Sequence, residues 1–340
     1  MTVPRDVEEH RRLPDDVRRP LPAEADERFV DLDPPLRRFE HARLDLFERH
    51  GFAGESRWIA DRTGRRTYLI ARGSGPRPTL LIHGGLSQAG EWSLLAGRLP
   101  GHVLIPDRPG CGLSYPIDYR GVDYRASAAE WLRDLIDGIG ADKVDLVGNS
   151  TGGFFSMVFA IAYPDRVHRL ALVGAPAGIH KEVPLFVRLW GTPITGSLIG
   201  KLKITNPETL RKRVFARLLV AHPERVPRDF LETSIAAAAI PGVDRTAYSM
   251  LRAQITLRGW RSELMLSDEM ARLPVPTLFL WGEADAFAPP SRGHDVAARM
   301  ADARMEVIPD AGHLPWLDRP DTVAAALNGF LRDPTATSAR

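Results

Sequence analysis

Cysteine is almost absent from this chain: its 340 residues hold one, Cys111. A lone thiol closes no internal bridge, which excludes a disulfide-stapled secreted scaffold and suits a reducing compartment. Charge of one sign is lacking too. The 45 Lys and Arg stand against 43 Asp and Glu, a formal net charge of +2, so no field points to nucleic acid or an acidic membrane as the partner. No apolar run approaches the roughly 20 residues of a membrane span. The N-terminus, Met1-Thr2-Val3-Pro4-Arg5 followed by Arg11, Arg12, Arg18 and Arg19, has no apolar stretch of the signal-peptide kind. A cytoplasmic protein with no membrane span is expected. The dinucleotide spacing G-x-G-x-x-G does not occur, and no lysine follows the Gly-rich turn at residues 148–153 as a phosphate loop requires.

What is present is ordinary for a folded chain: 44% apolar and 26% charged residues, with 28 prolines that imply many loops. Residues 1 to about 38 are rich in Pro, Arg, Asp and Glu, so residues 1–50 are expected as an N-terminal extension lying on the surface. A helical stretch around Leu44 to Arg49 precedes a hairpin, Arg57 to Ala60 and Thr67 to Ala71 about a turn at Thr63-Gly64. Short apolar runs then alternate with amphipathic ones, the pattern of βαβ units and a parallel sheet. The strands are expected at Thr79–Ile82, His102–Ile105, Val144–Val147, Leu170–Val173, Thr277–Trp281 and Met305–Ile308. The fold class is α/β, a mostly parallel sheet flanked by helices, with a core at residues 51–175 and 275–333. Residues 176–274 interrupt the alternation for far longer than a loop. Helical runs at Glu208–Ala221, Arg228–Ala239 and Thr246–Thr256 make this segment a helical cap inserted into the core.

Gly148-Asn149-Ser150-Thr151-Gly152-Gly153 lies directly between a strand and a helix, the context that the G-x-S-x-G nucleophile elbow requires. The turn strains the serine backbone and crowds its neighbours, so positions 148 and 152 should tolerate little side-chain bulk. Serine is a poor nucleophile without a base, itself oriented by a carboxylate. His313 follows the strand Met305–Ile308 and Asp285 follows Thr277–Trp281, both at the carboxyl end of the sheet where sites of open α/β folds lie. The chain order Ser150, Asp285, His313 is that of the hydrolase triad. Glu283 and Asp310 are rival acids, better read as loop residues. An oxyanion needs two donors; the backbone N–H groups of Gly85, in His83-Gly84-Gly85-Leu86, and of Thr151 are the candidates. His83 is read as holding that loop, and Cys111 as an inert thiol. The scheme needs neither a metal nor an organic cofactor.

Five motifs in this order, His83-Gly84-Gly85, Asp107 to Ser114, Gly148 to Gly153, Trp281 to Asp285 and Ala311-Gly312-His313, resemble the α/β-hydrolase superfamily over about residues 55–332. Serine at the elbow speaks against haloalkane dehalogenases and epoxide hydrolases, which carry aspartate there. Gly-Asn-Ser-x-Gly-Gly resembles the meta-cleavage-product C–C hydrolases, but Leu86-Ser87-Gln88 replaces the glycine-and-proline loop usual in them, and Leu86 also departs from the proline iminopeptidases. The resemblance implies cleavage of an ester, thioester or lactone through an acyl-enzyme on Ser150. C–C hydrolysis of a diketone, acyl transfer and a catalytically slow small-molecule receptor remain the alternatives. The cap is rich in apolar side chains that either form its own core or line an acyl pocket. Leu86, Trp190, Tyr248 and Leu314 are the pocket candidates, for a small-molecule substrate with an apolar acyl part. Oligomeric state is not readable.

Overall fold

The computed structural model describes residues 34–192, 195–196 and 203–332. Its strands are β1 Glu55–Ala60, β2 Arg66–Arg72, β3 Thr79–Ile82, β4 Val103–Pro106, β5 Val144–Gly148, β6 Val167–Val173, β7 Ile255–Thr256, β8 Gly259–Trp260, β9 Thr277–Gly282 and β10 Ala303–Ile308. Eight of them form one sheet in the order β1-β2-β4-β3-β5-β6-β9-β10. The β1–β2 and β2–β4 pairs are antiparallel and every later neighbour is parallel. This is the expected α/β architecture. Every residue of β4, β5 and β9 is buried, which is why they read as largely apolar runs rather than alternating ones. β10 closes the sheet as an edge, and its first five residues are all at least partly exposed.

Helices cover both faces. The helices Tyr124–Gly138 and Ser150–Ala162 bury Leu132, Ile136, Phe155 and Phe159 against one face. The first starts where it does because Asp123 caps it, accepting from the backbone N–H groups of Arg125 and Ala126 at 3.0 Å each, worth about 1 kcal/mol. The helices Pro34–Arg49 and Pro320–Arg332 bury Leu46, Phe47, Leu327 and Phe330 on the other face. Residues 34–49 fall within the segment expected as a surface extension, yet they form a helix packed on the sheet with Phe39, Arg43, Leu46 and Phe47 buried. Composition hides this because Arg43 counts as a surface residue until its partner is known. Nη1 of Arg43 lies 2.9 and 2.8 Å from the two carboxylate oxygens of Asp107, and both side chains are fully buried.

Between β6 and β9 the described chain forms the helices Leu185–Trp190, Pro207–Leu210, Arg228–Ala238 and Val243–Gln254. The stretch Arg211–Leu219 is wound with i→i+5 turns. A short antiparallel ribbon, β7–β8, interrupts the helical run that was expected to extend to Thr256. The insertion shares both cores: Met250, Leu251, Trp260 and Leu264 join one, Phe215, Val220, Phe230 and Leu231 the other. In the sheet, β3 is flanked by β4 on one side and β5 on the other. The chain therefore reverses its winding direction at β3, and the carboxyl ends of β3 and β5 open the crevice in which such folds place their sites.

Candidate active site

β5 ends at Gly148 and the next helix begins at Ser150, whose φ is +49°. A serine in the left-handed region costs roughly 1–3 kcal/mol and must be held there by its surroundings. Gly152 shows how tight the turn is. A Cβ there would lie 2.1 Å from Ile82 O and 2.4 Å from His83 O, both backbone atoms at the end of β3. Asn149 braces the turn from the other side: Nδ2 donates to Val173 O at 2.7 Å and to His313 O at 3.2 Å. The residue preceding Ser150 is thus bonded directly to the backbone of His313.

The imidazole of His313 and the carboxylate of Asp285 meet at the ends of β10 and β9. Nδ1 lies 3.0 Å from Oδ1 and 2.9 Å from Oδ2, with both side chains buried. Two backbone donors complete the carboxylate, Phe287 N–H to Oδ1 at 2.9 Å and Ala175 N–H to Oδ2 at 2.8 Å. A proton on Nδ1, donated to the carboxylate, leaves Nε2 as an acceptor. Phe287 stacks on the imidazole with centroids 4.1 Å apart. The His313 loop is also clasped by the insertion. Asp318 accepts from Gly312 N–H as well as from Ala221 and His222 N–H, and Leu314 N–H donates to Leu219 O. The two rival acids lie elsewhere: Glu283 accepts from Asp310 N–H, and Asp310 pairs with Arg319 at the exposed surface.

The loop after β3 runs against the elbow. A Cβ on Gly84 would stand 2.5 Å from Asn149 Oδ1, and one on Gly85 3.0 Å from Thr151 Oγ1, so Gly85 and Thr151 adjoin. Gly84 N–H donates to the buried carboxylate of Glu91 at 2.9 Å. Burial pushes the Glu91 carboxyl above its ordinary range, although this bond opposes the shift. Burial also pushes the Cys111 thiol up to about 11, so it stays protonated and unreactive near neutral pH.

The four pocket candidates have different surroundings. Leu86 is 40% exposed, whereas Leu314 is buried in the core beside Leu219. Trp190 and Tyr248 are half-buried and meet about Gly196, where a Cβ would approach Trp190 O and Tyr248 Cε2. Side chains on one face of the helix Val243–Gln254 reach the glycine loop and the elbow. Met250 Cε lies 3.6 Å from the Cβ position of Gly85, and Thr151 Oγ1 donates to Gln254 Oε1 at 3.4 Å. Thr246 packs on Gly110 one turn earlier. Spacing of four was the available signal, diluted because two of these three residues are polar. A cavity of about 710 Å³ lies between Lys181–Arg188 and Glu283–Pro289, with Asp285 and Phe287 in its lining; neither Ser150 nor His313 lines it. Among the described residues no cluster of His, Cys, Asp or Glu is placed to hold a metal ion, and no helix is long and apolar enough to cross a membrane.

Comparison with known proteins gives a consistent result. A model described as alpha/beta hydrolase family matches residues 79–326. An uncharacterized protein of Mycobacterium tuberculosis is 29% identical over 272 residues, 75% of each chain. A 2-hydroxy-6-oxo-6-phenylhexa-2,4-dienoate hydrolase of Burkholderia cepacia is 27% identical over 289 residues, 78% of this chain and 91% of that one. Among solved structures, a carboxylesterase of Bacillus subtilis superposes with a TM-score of 0.69 over 88% of this chain and 99% of its own, at 20% identity, a likeness of fold.

Proposed function

The chain belongs to the alpha/beta hydrolase family, and from that membership we propose that it is a serine hydrolase using Ser150, His313 and Asp285 as nucleophile, base and acid. The observation that carries this reading is the buried Asp285–His313 pair, bonded through the His313 carbonyl to Asn149 beside a strained elbow serine. His313 Nε2 takes the Ser150 proton as Oγ attacks a substrate carbonyl, and Gly85 and Thr151 N–H hold the oxyanion. The leaving group departs with the proton from His313. The imidazole then activates water, which releases the acid and frees Ser150.

The insertion acts as the cap, with Thr246, Met250 and Gln254 facing the loops around the elbow. An ester, thioester or lactone is the substrate class, and the apolar side chains of the cap, such as Met250, Leu251 and Trp260, favour an apolar acyl part. Hydrolysis of p-nitrophenyl esters from acetate to decanoate tests it. Turnover is expected in the wild type and its loss in Ser150→Ala; residual activity in that variant above one part in a hundred would remove Ser150 as nucleophile.

C–C bond hydrolysis of a vinylogous diketone is the second reading, favoured by the Burkholderia relative's 27% identity over most of its length. Asn149, which together with Gly153 suggests it from sequence, has its amide nitrogen committed to bracing the elbow. Turnover of a ring-fission product alongside inert esters would reverse the order of the two readings.

A further inference from the structure

Behind the glycine loop sits a fully buried arginine that the cycle above does not use. Arg108 Nε donates to His83 O at 2.9 Å and Nη2 to Gly84 O at 2.7 Å. Its guanidinium lies 5.1 Å above the Phe155 ring and its Nη atoms reach Met250 Sδ at 3.9 and 4.0 Å. Among the described residues no carboxylate pairs with it. His83 supplies a second donor to the same oxygen. Arg108 N–H donates to His83 Nε2 at 2.9 Å, so the imidazole proton is on Nδ1, which donates to Gly84 O at 2.9 Å. Burial and the nearby guanidinium keep that ring neutral.

Gly84 O belongs to the peptide whose other end is the N–H of Gly85. The described peptides are all trans, and in a planar trans peptide the C=O and N–H point in opposite directions. Two donors occupying both lone pairs of Gly84 O therefore fix where Gly85 N–H points. Donors on the carbonyl also polarise the N–H at the far end, because bonds in a chain strengthen one another. The positive charge of the buried guanidinium on that side acts in the same direction.

We propose that Arg108, with His83, is a positioning residue that locks the Gly84–Gly85 peptide and so builds one of the two oxyanion donors. It touches no substrate. The inference rests on the serine-hydrolase reading, and it predicts an effect on the transition state with little effect on substrate binding.

The test compares wild type, Arg108→Gln and Arg108→Lys, with competent sites counted by fluorophosphonate titration so that misfolded protein is excluded. On p-nitrophenyl butyrate, kcat per titrated site is expected to fall about 10- to 100-fold in Arg108→Gln, somewhat less than loss of a whole oxyanion donor costs. KM should stay within about threefold, since the donor acts on the transition state. Affinity for a phenylboronic acid, whose boron becomes tetrahedral on Ser150 Oγ, should weaken by the same factor as kcat. Lysine keeps the charge but cannot span both carbonyls, so Arg108→Lys should fall between the two; it decides the matter if Arg108→Gln does not fold. An unchanged kcat per site, or a rise in KM with kcat intact, overturns the inference. A wild type that neither labels at Ser150 nor cleaves esters instead removes the hydrolase reading beneath it.

Discussion

Replacing Asp285 by asparagine and by alanine separates two jobs that the structure assigns to one carboxylate. Its Oδ1 accepts Phe287 N–H, its Oδ2 accepts Ala175 N–H, and both face His313 Nδ1. Asparagine has the same shape but only one oxygen, so whichever way the amide turns, one backbone N–H must face an NH2 group. That mismatch is expected to cost about 1–3 kcal/mol of stability. The amide also presents a donor to Nδ1, pushing His313 toward the tautomer in which Nε2 carries the proton and cannot act as base. The rate should fall by about four orders of magnitude, as tautomer errors in such triads do. Alanine leaves both N–H groups buried without an acceptor, about 2–6 kcal/mol by the same measure. Ester turnover read with urea unfolding distinguishes the cases: Asp285→Asn should be folded and nearly inert, Asp285→Ala inert and clearly less stable. Glu283→Gln and Asp310→Asn, whose carboxylates do not bond His313, should stay within about twofold of wild type, as surface changes do. Asp285→Asn within tenfold of wild-type activity would refute the assignment of the acid.

Arg43→Met should destabilise the fold by about 3–5 kcal/mol, because it strands a buried carboxylate. Asp107 would keep only backbone partners such as Ala89 and Leu113 N–H, and a loss below about 1 kcal/mol in urea unfolding would mean that this pair does not anchor the N-terminal helix. Acid should weaken the protein before its carboxylates titrate. Burial lowers the His180 pKa from 6.5 to about 4 and holds His83 well below its usual value. Above the unfolded pKa both states are neutral and nothing changes; as pH falls below it, the unfolded chain takes protons that the folded one refuses. Stability should therefore drop from about pH 6.5 toward 4, by up to about 1.4 kcal/mol per unit for each histidine. A melting temperature flat between pH 7 and 5, or His180→Leu leaving that slope unchanged, would contradict this.

The expected strands lie within a residue or a few of the observed ones because β4, β5 and β9 are buried throughout, which favours largely apolar runs; Asp145 in β5 is accommodated by pairing with His168 and Arg77. The proposed triad was suggested for a related reason: each member follows its own strand, so all three lie at the carboxyl ends of strands β5, β9 and β10. Phe287 and Asp318 carried no such mark. Their places depend on a ring stack and on backbone donors that lie up to 97 positions away in the chain.

Local pattern by itself determined the α/β class and the run of parallel strands, since strand burial acts over a few residues. Tertiary structure alone decided that residues 34–49 are core, that Asn149 ties the elbow to His313 across 164 positions, and that Arg108 and His83 clamp the glycine loop. Those facts rest on buried polar groups finding partners distant in sequence. A charged or amide side chain looks alike in a list of residues whether it faces water or closes such a bond, and only the packed chain distinguishes the two.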